Sequence, residues 1–245
     1  MRQVGSAIDP STADQHPAAE RLSDFPENAT GMLELETVRN RAKPYFENAP
    51  PAHDWHHIQR VEELAATLVE RHPEPETVDE RVVSLAILLH DIGREREDRG
   101  EIDDHATWGA REAGEILREF SVADETVSQV KHCIRAHRYS NDVTPETIEA
   151  ELVSDADNLD ALGAVGIGRV FAHGTAIDSP MYNPALPVAD DETAAGTSQY
   201  NHLHKKILDL PARMYTDAGR ELAAARAAFV REFIAQFDAE VAGER

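Results

Sequence analysis

Three stretches of this 245-residue chain put histidine and aspartate where folding alone gives little reason for them. The first is Val82–Gly93 (VVSLAILLHDIG), apolar nearly all round and so a buried helix, with His90 and Asp91 in its last turn. A carboxylate there faces the negative end of the helix dipole, a conflict that a nearby cation removes and that otherwise demands protonation or pairing. Taken alone, the pair equally fits an aspartate turned to solvent beside a satisfied core histidine. The second stretch, His53-Asp-Trp-His-His57, opens a helix. If Asp54 is its cap, His57 lies in the first turn, where the positive helix end disfavours imidazolium and leaves a lone pair for a metal. His53 precedes the cap and need not share a face with His57. The third is Leu152–Gly163 (LVSDADNLDALG), whose apolar residues cover almost the whole circumference, so Asp155, Asp157 and Asp160 cannot all reach water. Buried carboxylates require partners, and a metal is an economical one, although the periodicity does not say which aspartate would bind it.

In that order, His57, the His90-Asp91 pair and the Asp157 segment resemble the HD-domain metal-dependent phosphohydrolase superfamily, most closely its small stand-alone members. Val130–His137 (VKHCIRAH), Asp155–Phe171 and His202–Leu210 (HLHKKILDL) are similar to that group as well. The likeness runs from about His53 to the C-terminus, interrupted at 178–199. The resemblance implies His57, His90, Asp91 and Asp157 as metal ligands, with Asp155 and Asp160 outside the first coordination sphere. It also implies hydrolysis of a phosphoester or phosphoanhydride in a nucleotide or other small phosphorylated metabolite, by a metal-activated water. Catalytic roles are expected for Asp91 and His137.

Two imidazoles and two carboxylates form a mixed nitrogen and oxygen site that suits Mn, Co, Ni, Fe or Mg better than the thiolate cage of structural zinc. In some HD proteins two further histidines, between the HD pair and the final aspartate, bind a second metal. His105 and His132 occur in that order; alternatively they hydrogen-bond or contact substrate around a single ion. Helical phase puts Val127, Val130, Ile134 and His137 on one buried face and turns His132 the other way. Arg138, His202 and Lys206 are candidate phosphate contacts. Lysine occurs only at Lys43, Lys131, Lys205 and Lys206, and two of these sit together here. Two other readings compete: an HD-fold di-iron oxygenase, for which the His105 and His132 cadence speaks, and a non-catalytic nucleotide- or metal-binding module.

The elements that must position these residues read as helices throughout. Residues 1–30 are polar and without period, and are expected to be a flexible arm before one HD-domain helical bundle at 31–245. A first helix stops near Pro44, and the pair Pro50-Pro51 breaks the chain. Further helices are expected from Asp54 to about Arg71, from Thr77 to Ile92, and over 105–120, 124–138, 145–161 and 162–176. Residues 178–199 carry three prolines and an acidic run and read as a surface loop or insertion. Helices over 201–210 and 216–240 complete the chain. No segment alternates with period two, so the fold is predicted to be all-α.

Composition limits the partners. Asp and Glu number 46 against 24 Lys and Arg, a net charge of −22 that repels nucleic acid phosphates and anionic lipid. The expected partner is therefore a small phosphorylated substrate, not a nucleic acid polymer or a membrane. An acidic, lysine-poor chain of this kind resembles proteins of salt-accumulating halophiles, in which molar salt shortens the Debye length to about 3 Å and relieves self-repulsion. The single cysteine, Cys133, excludes an intrachain disulfide and fits a reducing cytoplasm. The N-terminus has no secretory signal pattern, and no apolar run approaches the roughly 20 residues of a membrane span.

Overall fold

Capping side chains set where the helices begin. The computed structural model describes residues 29–138 and 143–245, so nearly all of the expected arm lies outside the described residues. After α1 (Ala29–Ala42) and a 3₁₀ turn at Lys43–Phe46, Asp54 accepts a hydrogen bond from His57 N and starts α2 (Trp55–Glu70). Asp79 does the same for α3 (Glu80–Leu89) through Val82 N. That start falls three residues later than the sequence suggests, because Pro75–Thr77 forms a 3₁₀ turn. Helix α3 also stops short of Ile92: His90 is its C-cap, and the chain turns into a short helix α4 (Arg94–Asp98) that periodicity did not reveal. Gly93 permits this turn, since a Cβ there would stand 2.8 Å from the backbone oxygen of His105.

Helices α5 (His105–Glu119) and α6 (Asp124–Ala136) follow, capped at α5 by Asp104. Then come α7 (Ile148–Asp160), α8 (Gly163–Ala176), α9 (Gln199–Lys205) and α10 (Asp217–Val241). The helix expected over 201–210 ends early because a 3₁₀ segment, Ile207–Arg213, takes over around Pro211, which has no N–H for an α-helical ladder. No strand occurs among the described residues, and the fold is all-α.

Helix α3 is the centre of the bundle. Every residue from Val82 to Leu89 is buried, and the helix packs against α1, α2, α6 and α7. Helices α5 and α6 pair on one side, α2 and α7 on the other, and α10 closes over α7, α8 and the 3₁₀ segment. The C-terminal ends of α3 and α6 thus meet the last turn of α7 and the first turn of α2. Among the described residues no helix is long and apolar enough to cross a membrane.

Candidate metal centre

Four imidazoles point their Nε2 atoms at one carboxylate. Asp91 Oδ2 lies 3.6 Å from His57 Nε2 and 3.7 Å from His90 Nε2. Its Oδ1 lies 3.3 Å from His105 Nε2 and 3.7 Å from His137 Nε2. Asp157 Oδ1 adds a second carboxylate, 3.4 Å from His57 Nε2 and 3.9 Å from His90 Nε2.

Each ring is pinned from behind. His90 and His137 are the C-caps of α3 and α6, and each donates Nδ1–H to the carbonyl three residues back, Ile87 at 2.8 Å and Ile134 at 2.6 Å. The bond serves a helix-end carbonyl that would otherwise lack a partner. His57 Nδ1 donates to Asp160 Oδ2 at 2.8 Å, and His105 Nδ1 donates to Glu97 Oε2. Carbonyl and carboxylate oxygens only accept, so each Nδ1 carries a proton and each Nε2 faces inward, where the neutral ring offers a lone pair. This is how second-sphere partners orient metal-binding histidines.

The residues fit a divalent ion. Nε2 of His57 and of His90 are buried with no hydrogen-bond partner, an unusual cost for polar atoms in a core. First-row ions with bonds of about 2.0–2.2 Å hold neighbouring donors roughly 3–4 Å apart, the spacing found here. Burial pushes the His90 imidazole down to about 4, so it is neutral at physiological pH. Burial would raise Asp91 and Asp157, yet the imidazoles around them hold both well below the carboxylate range. Burial also pushes His105 down, whereas His57 and His137 are pushed up despite burial by the carboxylates of Asp157, Asp160 and Asp91. Ionised carboxylates facing imidazoles that draw a positive charge make a cation-seeking cluster. A second grouping, His90 with Asp91 and His137, has ligand atoms within 4.8 Å of one another, and His105 Nε2 faces His137 Nε2 at 3.3 Å. Two opposed lone pairs at that distance need a shared proton or cation.

The three aspartates of α7 take three different tasks. Asp157 faces the cluster. Asp155 points away and accepts from Tyr215 N, Thr216 N and Thr216 Oγ1, tying α7 to the start of α10. Gly219 makes room for it, since a Cβ would approach Asp155 Oδ2 to 2.2 Å. Asp160 orients His57 and is itself held by Arg60 Nε at 2.8 Å, Arg60 Nη2 at 3.0 Å and Arg169 Nη1 at 2.8 Å.

Beside the cluster opens a cleft of about 270 Å³. Of the residues singled out from the sequence, it is lined by Asp91, Asp157, His105, His137, Arg138, His202 and Lys206, while His57 and His90 lie beneath. His132 does not reach it. Its Nε2 accepts from Glu146 N at 2.9 Å on the far side of α6, as the helical phase requires, and His137 stands where the chain order suggested His132. The cleft also holds His53, which the sequence set aside because it precedes the helix cap, and Arg94, Arg169 and His173, which sequence reasoning did not pick out. Arg94 directly follows the His-Asp-Ile-Gly turn and was the most findable of these; His173 carries no local signal. Arg138 pairs with Glu97 and Asp104, Arg169 with Asp160 and Arg94 with Asp98, whereas Lys206 has no ion pair among the described residues. Burial, followed by the charges of Arg94 and Arg138, pushes the Lys206 ammonium down. Cations crowded this way are relieved by a bound anion.

The HD domain family matches residues 54–162. Protein YpgQ of Bacillus subtilis (strain 168) is 32% identical over 216 residues, 86% of this chain and 96% of its own length. Among solved structures, an HD-superfamily hydrolase from Bacillus thuringiensis is 33% identical, with a TM-score of 0.65 over 86% of this chain and 97% of that one. Bacillus subtilis YpgQ in complex with ADP is 30% identical, with a TM-score of 0.67 over 86% of this chain and 96% of that one.

Proposed function

This chain belongs to the HD-domain superfamily of hydrolases, and from that premise we propose that it is a divalent-metal-dependent phosphohydrolase of a nucleotide or another small phosphorylated metabolite. One observation carries the reading: the bare, buried Nε2 atoms of His57 and His90, set against two ionised carboxylates, border a cleft lined by Arg94, Arg138, Arg169 and Lys206. His57, His90, Asp91 and Asp157 would hold the ion, Asp91 and Asp157 also offsetting its charge. Bound there, a divalent cation supplies Lewis acidity and lowers the pKa of its water.

The chain's own residues do the remainder. Lys206 and Arg138 hold phosphoryl oxygens, and Arg94 and Arg169 supply positive potential along the same wall. His137, fixed by its Nδ1–H bond to Ile134, is placed to hold a proton at Nε2 and deliver it to the leaving oxygen. The ADP complex of the Bacillus subtilis relative supports a small phosphorylated ligand over a polymer.

Phosphate and pyrophosphate release across a panel of phosphorylated metabolites, with Mn²⁺, Co²⁺, Ni²⁺ and Mg²⁺ in molar salt, tests this. Release that Asp91→Ala abolishes is expected. Wild-type turnover by Asp91→Ala in metal-stripped buffer would overturn the metallohydrolase reading. A second reading, a di-iron oxygenase on the same fold, draws on the facing Nε2 atoms of His105 and His137. Two irons per chain and substrate-dependent oxygen uptake would favour it.

A further inference from the structure

The segment between α8 and α9 is built around one buried carboxylate that the proposed chemistry does not use. Asp191, 4% exposed, accepts from N and Oγ1 of Thr193, from N and Oγ1 of Thr197, and from Asn201 Nδ2 on α9. Lys205 Nζ donates to the Asp191 carbonyl. Together these bonds fix residues 191–197 against α9 and hold the Ala195 carbonyl over His202. His202 Nδ1 donates to that carbonyl at 2.6 Å.

The bond decides what His202 offers the cleft it lines. A carbonyl oxygen cannot donate, so the proton is on Nδ1 and Nε2 carries the lone pair. Burial, with the charge of Lys206 and the neighbouring His173, pushes this imidazole below its ordinary value despite the Ala195 bond, which keeps the ring neutral. A neutral ring pinned this way is a hydrogen-bond acceptor. Phosphate oxygens are acceptors too, so the natural partner of Nε2 is a donor. Lys206, the residue that ends α9, donates its backbone N–H to the His202 carbonyl at 3.0 Å and lines the same cleft. The last turn of α9 and its cap thus bring an acceptor and a cation to one wall.

We propose that His202 reads a hydroxyl of the substrate, a sugar hydroxyl next to the phosphate that Lys206 holds, with Asp191 as the positioning residue that sets the Ala195 carbonyl. The proposal rests on the phosphohydrolase reading above and adds a specificity determinant to it.

Calorimetric binding with Mn²⁺ in molar KCl tests the proposal on three non-hydrolysable probes: α,β-methylene-ADP, its 2′,3′-dideoxy form, and methylenediphosphonate. The wild-type protein should prefer the hydroxylated nucleotide about three- to tenfold, the worth of one neutral hydrogen bond. His202→Phe should erase that preference and leave methylenediphosphonate affinity unchanged. His202→Gln, which keeps an acceptor on a side chain of similar reach, should retain part of it, and so separates lost recognition from a disturbed fold. Equal wild-type affinity for the two nucleotides overturns the proposal, as does a loss by His202→Phe that is equal across all three probes. If no probe binds the wild-type protein, the nucleotide form of the phosphohydrolase reading falls, and this inference with it.

Discussion

Asp160→Asn separates orienting a metal ligand from merely bracing two helices. The carboxylate is 1% exposed and takes four hydrogen bonds, from His57 Nδ1, Arg60 Nε, Arg60 Nη2 and Arg169 Nη1. The amide keeps the shape but removes the charge and turns an NH₂ toward at least one of those donors. Removing one partner of a buried ion pair costs about 3–5 kcal/mol. Arg60 is 33% exposed and can be resolvated, which favours the lower end, about 3 kcal/mol. For a chain of this size that corresponds to a fall in Tm of roughly 6–12 °C. The sharper consequence concerns His57. With its Nδ1 partner weakened, the ring loses both its fixed tautomer and its aim, and second-sphere changes of this kind reduce metal affinity about 10–100-fold. Calorimetric titration with Mn²⁺, paired with melting curves with and without the ion, reads both effects. A lowered Tm with Mn²⁺ affinity within twofold of wild type would refute the orienting role and leave Asp160 as a strut between α2 and α7.

Three further outcomes are expected. Lys206→Ala should raise KM more than it lowers kcat, because an unpaired cation at the cleft contacts the anion in ground and transition states alike; steady-state kinetics on the best panel substrate decides it. Circular dichroism at falling KCl should show loss of helical signal between molar and tens of millimolar salt, since a net charge of −22 loses its screening; an unchanged Tm would sink the halophile inference. Metal-free protein should lose stability in acid. Asp91, Asp157 and Asp160 all have folded values depressed below 3.8, so the stability they contribute is full at neutral pH and is lost progressively as pH falls from about 5 through 3.8 toward the lower folded values. A Tm that holds level from pH 5 to pH 3 would contradict this.

Local signals in the sequence carry the helices and most of the cluster. Asp54 reads as a cap and accepts from His57 N at 3.1 Å, because capping depends only on neighbours along the chain. The apolar body of α3 likewise announces its burial. What the sequence withholds depends on partners far away in it. Periodicity shows that three aspartates of α7 cannot all be solvated, but their separate tasks are set by Thr216, by Arg60 and Arg169, and by His57, from three other parts of the chain. His132 illustrates the opposite error. Chain order favours it, yet one hundred degrees per residue turns it from the cleft, and phase outweighs order. Helix α4 was missed because a five-residue acidic and basic turn, Arg94–Asp98, has no apolar stripe to betray it.

On the proposed function, the acidity of the whole and the basicity of the cleft have to coexist in one molecule that takes an anion. Repulsion from the distant surface charges acts over the Debye length, about 10 Å at 0.1 M salt and about 3 Å at 1 M. Contacts inside the cleft act at hydrogen-bond distance, where added salt screens them far less. Raising the salt therefore removes the barrier to approach before it removes the attraction that holds the phosphate. The pairing within the cleft is graded to the same end: Arg138, Arg169 and Arg94 are anchored by carboxylates and keep their geometry, while Lys206 has no ion pair among the described residues. If the phosphohydrolase reading holds, turnover should therefore rise with KCl while Lys206→Ala loses affinity at every salt concentration, and turnover that falls steadily from tens of millimolar to molar KCl would contradict this argument.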